Sequence, residues 1–96
     1  MIVKIEKSPR KMKRYRVIMD NGKHYDFGLD GGSTFVDHND LQKRENYRKR
    51  HLGNATEKKL ITGLIPSASL FSYWLLWGDY PDLQKNIKAL NSKWKK

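Results

Sequence analysis

The sequence predicts an α+β fold in which a small antiparallel sheet is followed by about three helices. Two alternating runs, RYRVIM and KHYDFG, flank a turn at Asp20-Asn21-Gly22 and indicate a β-hairpin. Two later segments, around SYWLLWG and from Leu83 to Trp94, have helical periodicity. Ninety-six residues suffice for one modest core. We therefore predict one small basic domain over residues 1–96, with a β-hairpin region at 1–32 and a helical region at 37–96.

A short apolar run at Ile2–Ile5 is the candidate for an additional N-terminal strand. Ser8-Pro9 interrupts this run, because proline lacks the backbone N–H that a strand ladder uses. At the far end of the segment, three glycines are expected to close the sheet: Gly28, Gly31 and Gly32. The predicted sheet therefore has two or three strands.

The register of the hairpin follows from the choice of turn. A two-residue turn at Asn21-Gly22 would place Val17 opposite Asp26, an apolar residue against a charged one. A three-residue loop with Gly22 in the left-handed conformation gives these pairs: Tyr15 with Phe27, Arg16 with Asp26, Val17 with Tyr25 and Ile18 with His24. Apolar and oppositely charged cross-strand pairs each contribute about 0.2–1 kcal/mol. We therefore predict the three-residue loop.

The first helix is predicted to begin near Asp37 or Asn39, which are both suitable N-caps, and to end at Gly53. Its sequence, LQKRENYRKRHL, has few apolar residues. The helix is therefore expected to lie on the surface and to present a broad positive face. Residues 54–66 have the weakest pattern, and we predict a loop there with a short turn at Lys59–Thr62.

The run SYWLLWG, residues 72–78, is unusual in a chain of formal net charge +10. A helix capped by Ser67 or Ser69 would contain roughly 11 residues, far fewer than the ~20 needed to span a bilayer. A helix that is apolar nearly all round is buried in a globular protein. We therefore predict that this run forms the central core helix. The alternative is that Trp74 and Trp77 form an exposed patch that binds a partner.

The third helix is predicted to have Asp79 or Tyr80 near its N-cap and Pro81 at an early position. Four apolar residues then recur at i, i+4, i+7 and i+11: Leu83, Ile87, Leu90 and Trp94. This single stripe predicts that the helix packs on the core and that Trp94 folds back onto it. The lysines of this segment are expected to remain in water: Lys85, Lys88, Lys93, Lys95 and Lys96.

Several chemistries lack the residues that they need. The chain has no cysteine, which excludes disulfides, thiolate zinc sites and cysteine nucleophiles. Its three histidines have no metal-ligand spacing, and no phosphate loop or nucleophile motif is present. We therefore predict no catalytic residue, no metal and no cofactor. The N-terminal segment is not a secretory signal, so we expect a protein that is not secreted and has no membrane span.

The positive charge is concentrated in clusters. Ser8-Pro9-Arg10-Lys11 is typical of a compact turn that presents two cations to a narrow groove. The basic helix end YRKRH can lie along phosphates, and no base-reading motif accompanies it. Binding to an acidic protein surface would use the same residues. The predicted binding residues are Arg10, Lys11, Lys13, Arg14, Lys43, Arg44, Arg48, Lys49 and Arg50.

Five stretches together resemble a family of small basic proteins of the nucleocytoplasmic large DNA viruses, the giant viruses. The stretches are KIEKSPRKMKRYRV, KHYDFG, YRKRH, SYWLLWG and DLQKNIKALN. The resemblance spans about Lys4 to Asn91 and implies a viral origin without enzymatic activity. It implies a location in the virion or in the cytoplasm or nucleus of the infected host cell.

Two functions are compatible with this charge and this resemblance. The first is a structural protein of the virion, a minor capsid or genome-packaging component. Its basic faces would dock on acidic surfaces of other virion proteins or on the genome. The second is a free DNA- or RNA-binding protein without sequence specificity.

Overall fold

The computed structural model describes residues 1–95, so Lys96 lies outside the described residues. Within them, the chain forms a three-stranded antiparallel sheet of order β1-β2-β3: β1 (Ile2–Lys7), β2 (Lys13–Met19) and β3 (His24–Leu29). Five helices follow in the same range: α1 (Phe35–His38), α2 (Leu41–Leu52), α3 (Ala55–Thr62), α4 (Ala68–Phe71) and α5 (Leu83–Trp94). The α+β prediction is confirmed, with more helices than the three expected.

The hairpin has the predicted register. Its pairs include Tyr15 with Phe27, Arg16 with Asp26, Val17 with Tyr25 and Ile18 with His24. The Met19 amide donates to the Lys23 carbonyl at 2.8 Å, which closes a three-residue loop. Gly22 in this loop has φ +84°, a conformation that costs little without a Cβ. The predicted N-terminal strand is also present, and it pairs antiparallel with β2.

The core lies between one face of the sheet and the aromatic segment. Phe71 is fully buried at its centre. The centroid of its ring lies 5.8 Å from that of Phe27, 5.5 Å from that of Tyr25 and 6.3 Å from that of Trp94. Further buried residues of this segment are Leu70, Tyr73, Leu75 and Leu76. The prediction of a buried aromatic helix is therefore confirmed, although Trp74 and Trp77 are only partly buried.

The aromatic helix does not continue as an α-helix. Ser67 caps α4 by accepting from the Leu70 amide at 3.2 Å, so Ser67 and not Ser69 is the N-cap of the two that the sequence predicts. From Ser72 to Leu76 the chain then widens into a π-helical turn, in which the Trp77 amide donates to the Ser72 carbonyl at 3.2 Å. Sequence periodicity cannot separate a π turn from an α turn over five residues, since both bury the same apolar side chains.

A buried asparagine, Asn86, holds the end of the π turn to α5. Its side-chain amide donates to the carbonyls of Leu75 at 3.0 Å and Tyr80 at 2.8 Å, and it accepts from the Tyr80 amide at 3.0 Å. Gly78 makes this contact possible. A Cβ at that position would lie 2.8 Å from the Asn86 amide group and would also overlap the Trp74 carbonyl oxygen.

Two predicted N-caps were wrong. The first long helix begins at Leu41, and Asp40 caps it by accepting from the amides of Gln42 and Lys43. Asp37 belongs instead to the short helix α1, which ends where Asn39 adopts a left-handed conformation. Helix α5 begins at Leu83, with Asp82 as its N-cap. Asp79 and Tyr80 do not cap it, because Asn86 holds both backbone groups of Tyr80 in the preceding loop.

The loop predicted for residues 54–66 was also wrong in part, since helix α3 occupies residues 55–62. Asn54 caps this helix by accepting from the Glu57 amide at 3.1 Å. Ile61 is buried and anchors the helix to the rest of the molecule. One buried apolar residue gives too little periodicity for a helix of this length to be recognised from sequence.

Helix α5 packs on the core through its predicted stripe. Leu90 is buried, and the other three apolar residues of the stripe pack against the core. The Trp94 indole donates to the Leu64 carbonyl at 3.0 Å, so this ring does fold back. Lys93 was expected in water, but its Nζ lies 4.4 Å from the centre of the Trp74 ring. This expectation for Lys96 falls outside the described residues.

Asn91 of α5 covers the start of the β1 edge. Its side-chain amide accepts from the Ile2 N–H at 2.8 Å and donates to the Ile2 carbonyl at 3.0 Å. These two bonds satisfy backbone groups that an edge strand otherwise exposes. They also connect the two ends of the chain and fix α5 against the sheet.

Candidate functional site

Two arginines of the sheet form ion pairs within the molecule. Arg14 makes a bidentate pair with Asp37, with both N···O distances 2.7 Å, and thereby joins β2 to α1. Arg16 pairs with Asp26 at 2.9 and 3.1 Å across the hairpin. Bidentate guanidinium–carboxylate pairs are the strongest and most directional of surface ion pairs. These arginines therefore stabilise the fold.

Two arginines of α2 bind the loop that follows the π turn. Arg48 donates to the Trp77 carbonyl at 3.0 Å and to the Asp79 carboxylate at 3.1 Å. Arg44 donates to the carbonyls of Gly78 at 3.4 Å and Asp79 at 3.3 Å. The planar guanidinium supplies several donors at fixed angles, which suits a loop with free carbonyl oxygens.

Three of the predicted binding residues are thus engaged inside the molecule. Their side chains are only 17–19% exposed: Arg14, Arg44 and Arg48. The others are exposed or partly exposed: Arg10, Lys11, Lys13, Lys43, Lys49 and Arg50. We therefore restrict the candidate surface to the second group.

The ion pairs of Asp26 and Asp37 should make stability depend on pH. The hydrogen bond from Arg16 lowers the pKa of Asp26 from 3.8 to about 2. The hydrogen bond from Arg14 lowers the pKa of Asp37 even more strongly from the same ordinary value. A carboxylate with a lowered pKa stabilises the folded state above its unfolded pKa and loses this effect as pH falls through the folded value. We therefore expect the melting temperature to fall between about pH 4 and pH 2.

The variant Asp26→Asn tests this pH dependence. Its melting temperature should be lower than that of the wild type at pH 7 and should fall less between about pH 4 and pH 2. Melting followed by circular dichroism at each pH measures both effects. An unchanged fall in the variant would contradict the role assigned to Asp26.

The remaining positive charge is carried mainly by lysines. Among residues 1–95, Lys4 is the only lysine in an ion pair with a carboxylate, that of Glu6 at 3.8 Å. Arg10 and Arg50 form no such pair with these residues. Most acids are engaged in ion pairs or, as with Asp40 and Asp82, in helix caps. The net charge therefore appears at the surface as cations with few acids between them.

Two basic segments that are far apart in the sequence meet at one open cleft of about 830 Å³. Lys11 and Lys13 line it from the β1–β2 connection and the start of β2, and Arg50 lines it from α2. The polar groups of the cleft wall are Ser33, Thr34, Tyr47, His51, Glu57, Ser69 and Ser72. Sequence reasoning identified both basic clusters but not that they face each other.

A compact turn positions the sheet side of this cleft. The Ser8 hydroxyl accepts from the Arg10 amide at 3.1 Å and donates to the Asp26 carboxylate at 2.6 Å. Met12 is in the left-handed region with φ 71°, and its carbonyl accepts from the Asp30 amide at 3.0 Å. The turn holds Lys11 at the cleft, whereas Arg10 is exposed outside it. Lys43 and Lys49 also lie outside the cleft.

The aromatic rings beside the cleft are packed on one another. The Tyr47 ring is stacked on Trp77, with centroids 4.4 Å apart and an interplanar angle of 6°, and the centroid of the His51 ring lies 4.0 Å from that of Tyr47. Burial raises the pKa of the Tyr47 hydroxyl to about 12. Trp74 packs edge to face with Tyr73 at 5.0 Å and carries Lys93 above its ring. Both tryptophans are partly exposed and Trp77 lines the cleft, so the alternative that they form a partner-binding patch stays a prediction.

One group in the cleft has residue types that are known from hydrolases. His51 Nδ1 lies 3.0 and 3.1 Å from the Glu57 carboxylate oxygens, and the Ser69 hydroxyl donates to the same carboxylate at 3.3 Å. The carboxylate occupies the middle position, where a serine nucleophile would need the imidazole. These contacts link α2, α3 and α4. Among residues 1–95, no group of three or more His, Cys, Asp or Glu side chains can hold a metal ion.

Sequence reasoning missed the serines and Glu57 of the cleft wall. Isolated serines in loops and at helix starts carry no signal, because they are common there as caps and turn residues. Asn86 could have been noticed, since it is a polar residue beside the apolar stripe of α5. Its burial is decided by the π turn that it contacts.

The fold and the cleft define a small basic α+β domain with a cationic groove between a sheet and a helix. A family model matches residues 3–51, and the chain belongs to that family, a family of unknown function (DUF5754). No curated protein and no solved structure matches the chain. The matched segment runs from β1 almost to the end of α2 and includes the three cations of the cleft: Lys11, Lys13 and Arg50.

Proposed function

We propose that this protein binds the sugar–phosphate backbone of nucleic acids without sequence specificity and catalyses no reaction. The observation that carries the proposal is the convergence of Lys11, Lys13 and Arg50 on one cleft. The Ser33 hydroxyl lines the same cleft and is a suitable donor to a phosphate oxygen. Contacts of this kind position a backbone and carry no information about bases.

The surface chemistry favours nucleic acid over an acidic protein surface. The cores of protein–protein interfaces are depleted in lysine and enriched in aromatic anchors. Here the unpaired cations are mostly lysines, and Trp74 and Trp77 are only partly exposed, each packed against a neighbouring tyrosine ring. A uniformly anionic phosphate backbone matches such a surface better than a protein surface with charges of both signs.

We expect binding to random-sequence duplex DNA to depend steeply on salt. The logarithm of the binding constant should fall linearly with the logarithm of salt concentration, with a slope of about −0.9 per phosphate contact. In the variant Lys11→Gln, Lys13→Gln, Arg50→Gln, the slope should be smaller in magnitude by about 2–3. Fluorescence anisotropy with a labelled duplex measures both slopes.

A matched control removes the same charge elsewhere. Lys23, Lys58 and Lys59 are exposed and do not line the cleft, so their joint replacement by glutamine should leave the slope close to that of the wild type. Equal losses in the two triple variants would show that only net charge matters and would remove the cleft from the proposal. A flat salt dependence of the wild type would exclude phosphate binding.

The wider role that we propose is that of a structural, genome-packaging component of a viral particle. This role is supported by the resemblance to giant-virus proteins together with the cationic surface. No helix among residues 1–95 is long and apolar enough to cross a membrane. Mass spectrometry of purified particles should detect the chain, and its absence from particles would rule out this role.

A further inference from the structure

The outer face of α5 forms a second cationic surface. A shallow groove of about 340 Å³ is lined there by Tyr80, Lys85, Lys88, Ala89 and Ser92. Lys95 continues the same face, since residues 85, 88, 92 and 95 have the i, i+3, i+7, i+10 spacing of one helix side. At 1.5 Å per residue, the three lysines span about 15 Å. No acid occurs between Leu83 and Lys95.

This surface is separate from the cleft. No residue lines both of them. The segment of α4 and the π turn lies between them, because Ser72 and Leu76 line the cleft whereas the Leu75 carbonyl accepts from Asn86 of α5. The two cationic surfaces therefore lie on different sides of the aromatic segment.

The stability of α5 does not explain the whole row of lysines, Lys85, Lys88 and Lys95. A cation near the C-terminus of a helix is favoured by the macrodipole, which accounts for Lys95. Lys85 is at the third position of α5, where its amide donates to the Asp82 cap and where the macrodipole disfavours a cation. Its ammonium group lies 6.0 Å from the centre of the Tyr80 ring, and this ring is 44% exposed. Lys85 and Tyr80 thus present a cation and an aromatic ring to solvent.

We infer that the α5 surface is a second phosphate-binding site, so that one molecule bridges two nucleic-acid segments. This inference rests on the proposed function, since it assumes that the cleft holds the first segment. Its support is charge complementarity: three lysines over about 15 Å face a backbone that carries one charge per ~1.7 Å of duplex. Bridging would draw two segments together, as packaging requires.

A bead assay tests bridging directly. One short duplex of random sequence is immobilised, the full chain is added, and capture of a second, labelled duplex is measured. Wild-type protein should capture the second duplex. In the variant Lys85→Gln, Lys88→Gln, Lys95→Gln, we expect binding of the first duplex to persist while capture of the second falls roughly tenfold or more. The control Lys23→Gln, Lys58→Gln, Lys59→Gln should capture like the wild type.

The outcomes separate the two proposals. If the wild type binds the immobilised duplex but captures no second one, the bridging inference is wrong and the proposed function stands. If the α5 variant captures as much as the wild type, bridging arises elsewhere, for example from self-association, and the inference is again wrong. If the wild type binds no duplex at all, both proposals are wrong.

Discussion

Phe71→Ala is expected to lower the free energy of unfolding by about 3–5 kcal/mol, the range for truncating a buried phenylalanine. The Phe71 ring is fully buried, and it contacts the sheet through Phe27 and α5 through Trp94. Its removal would leave a cavity at the point where the sheet and two helices meet. Small domains have total stabilities of about 5–15 kcal/mol, so this loss brings the variant close to unfolding at room temperature.

Urea denaturation measures this loss as a shift of the midpoint at an unchanged slope. Tyr80→Ala is a suitable control, because it also truncates an aromatic ring, one that is 44% exposed. The control should change stability by no more than about 0.5 kcal/mol. A loss below 1 kcal/mol in Phe71→Ala, on the order of the control, would show that this ring is not at the centre of the core.

Asn86→Ala should lower the free energy of unfolding by about 3 kcal/mol, since each buried polar group that loses its partner costs roughly 1–3 kcal/mol. The side-chain amide of Asn86 satisfies the Leu75 carbonyl and both backbone groups of Tyr80. Without it, these groups lose their partner, and the loop that Arg44 and Arg48 also bind is released. The expected loss is large for a residue that is neither apolar nor charged.

Asn46→Ala provides the comparison on an exposed helix position, where the Asn46 side chain accepts only from Gln42 at 3.0 Å. Its stability should change by about 0.5 kcal/mol or less. Hydrogen exchange adds a local measurement, because the Tyr80 amide should lose protection in Asn86→Ala. A protected Tyr80 amide in that variant would mean that water or another group replaces the asparagine.

The features that sequence reasoning predicted well depend on neighbouring residues. The hairpin register follows from Gly22 and from the pairing of Arg16 with Asp26, which all lie within one short segment, residues 16–26. The burial of the aromatic run and the inward stripe of α5 follow from the density and spacing of apolar side chains. These properties are encoded locally, so one sequence is enough to read them.

The features that it predicted poorly depend on which distant groups meet. Arg14 and Arg50 belong to similar basic clusters, yet Arg14 pairs with Asp37 and Arg50 lines the cleft. Helix α3 buries one apolar residue, Ile61, and the end of the π turn is held by Asn86 from a different helix, so neither feature has a clear periodic signal in the sequence. The N-cap of α5 was also predicted poorly. Asn86, inside this helix, holds Tyr80 in the preceding loop, and Asp82 is the N-cap.

For this protein, the sequence alone determined the α+β class, the hairpin register, the inward direction of the aromatic helix and the excess of positive charge. Only the tertiary structure decided which cations remain available and where they converge. The reason is physical: hydrophobic periodicity and turn geometry act over a few residues, whereas an ion pair or a cleft requires two distant segments to be placed within a few ångströms. The availability of Lys11, Lys13 and Arg50 is therefore a property of the folded chain.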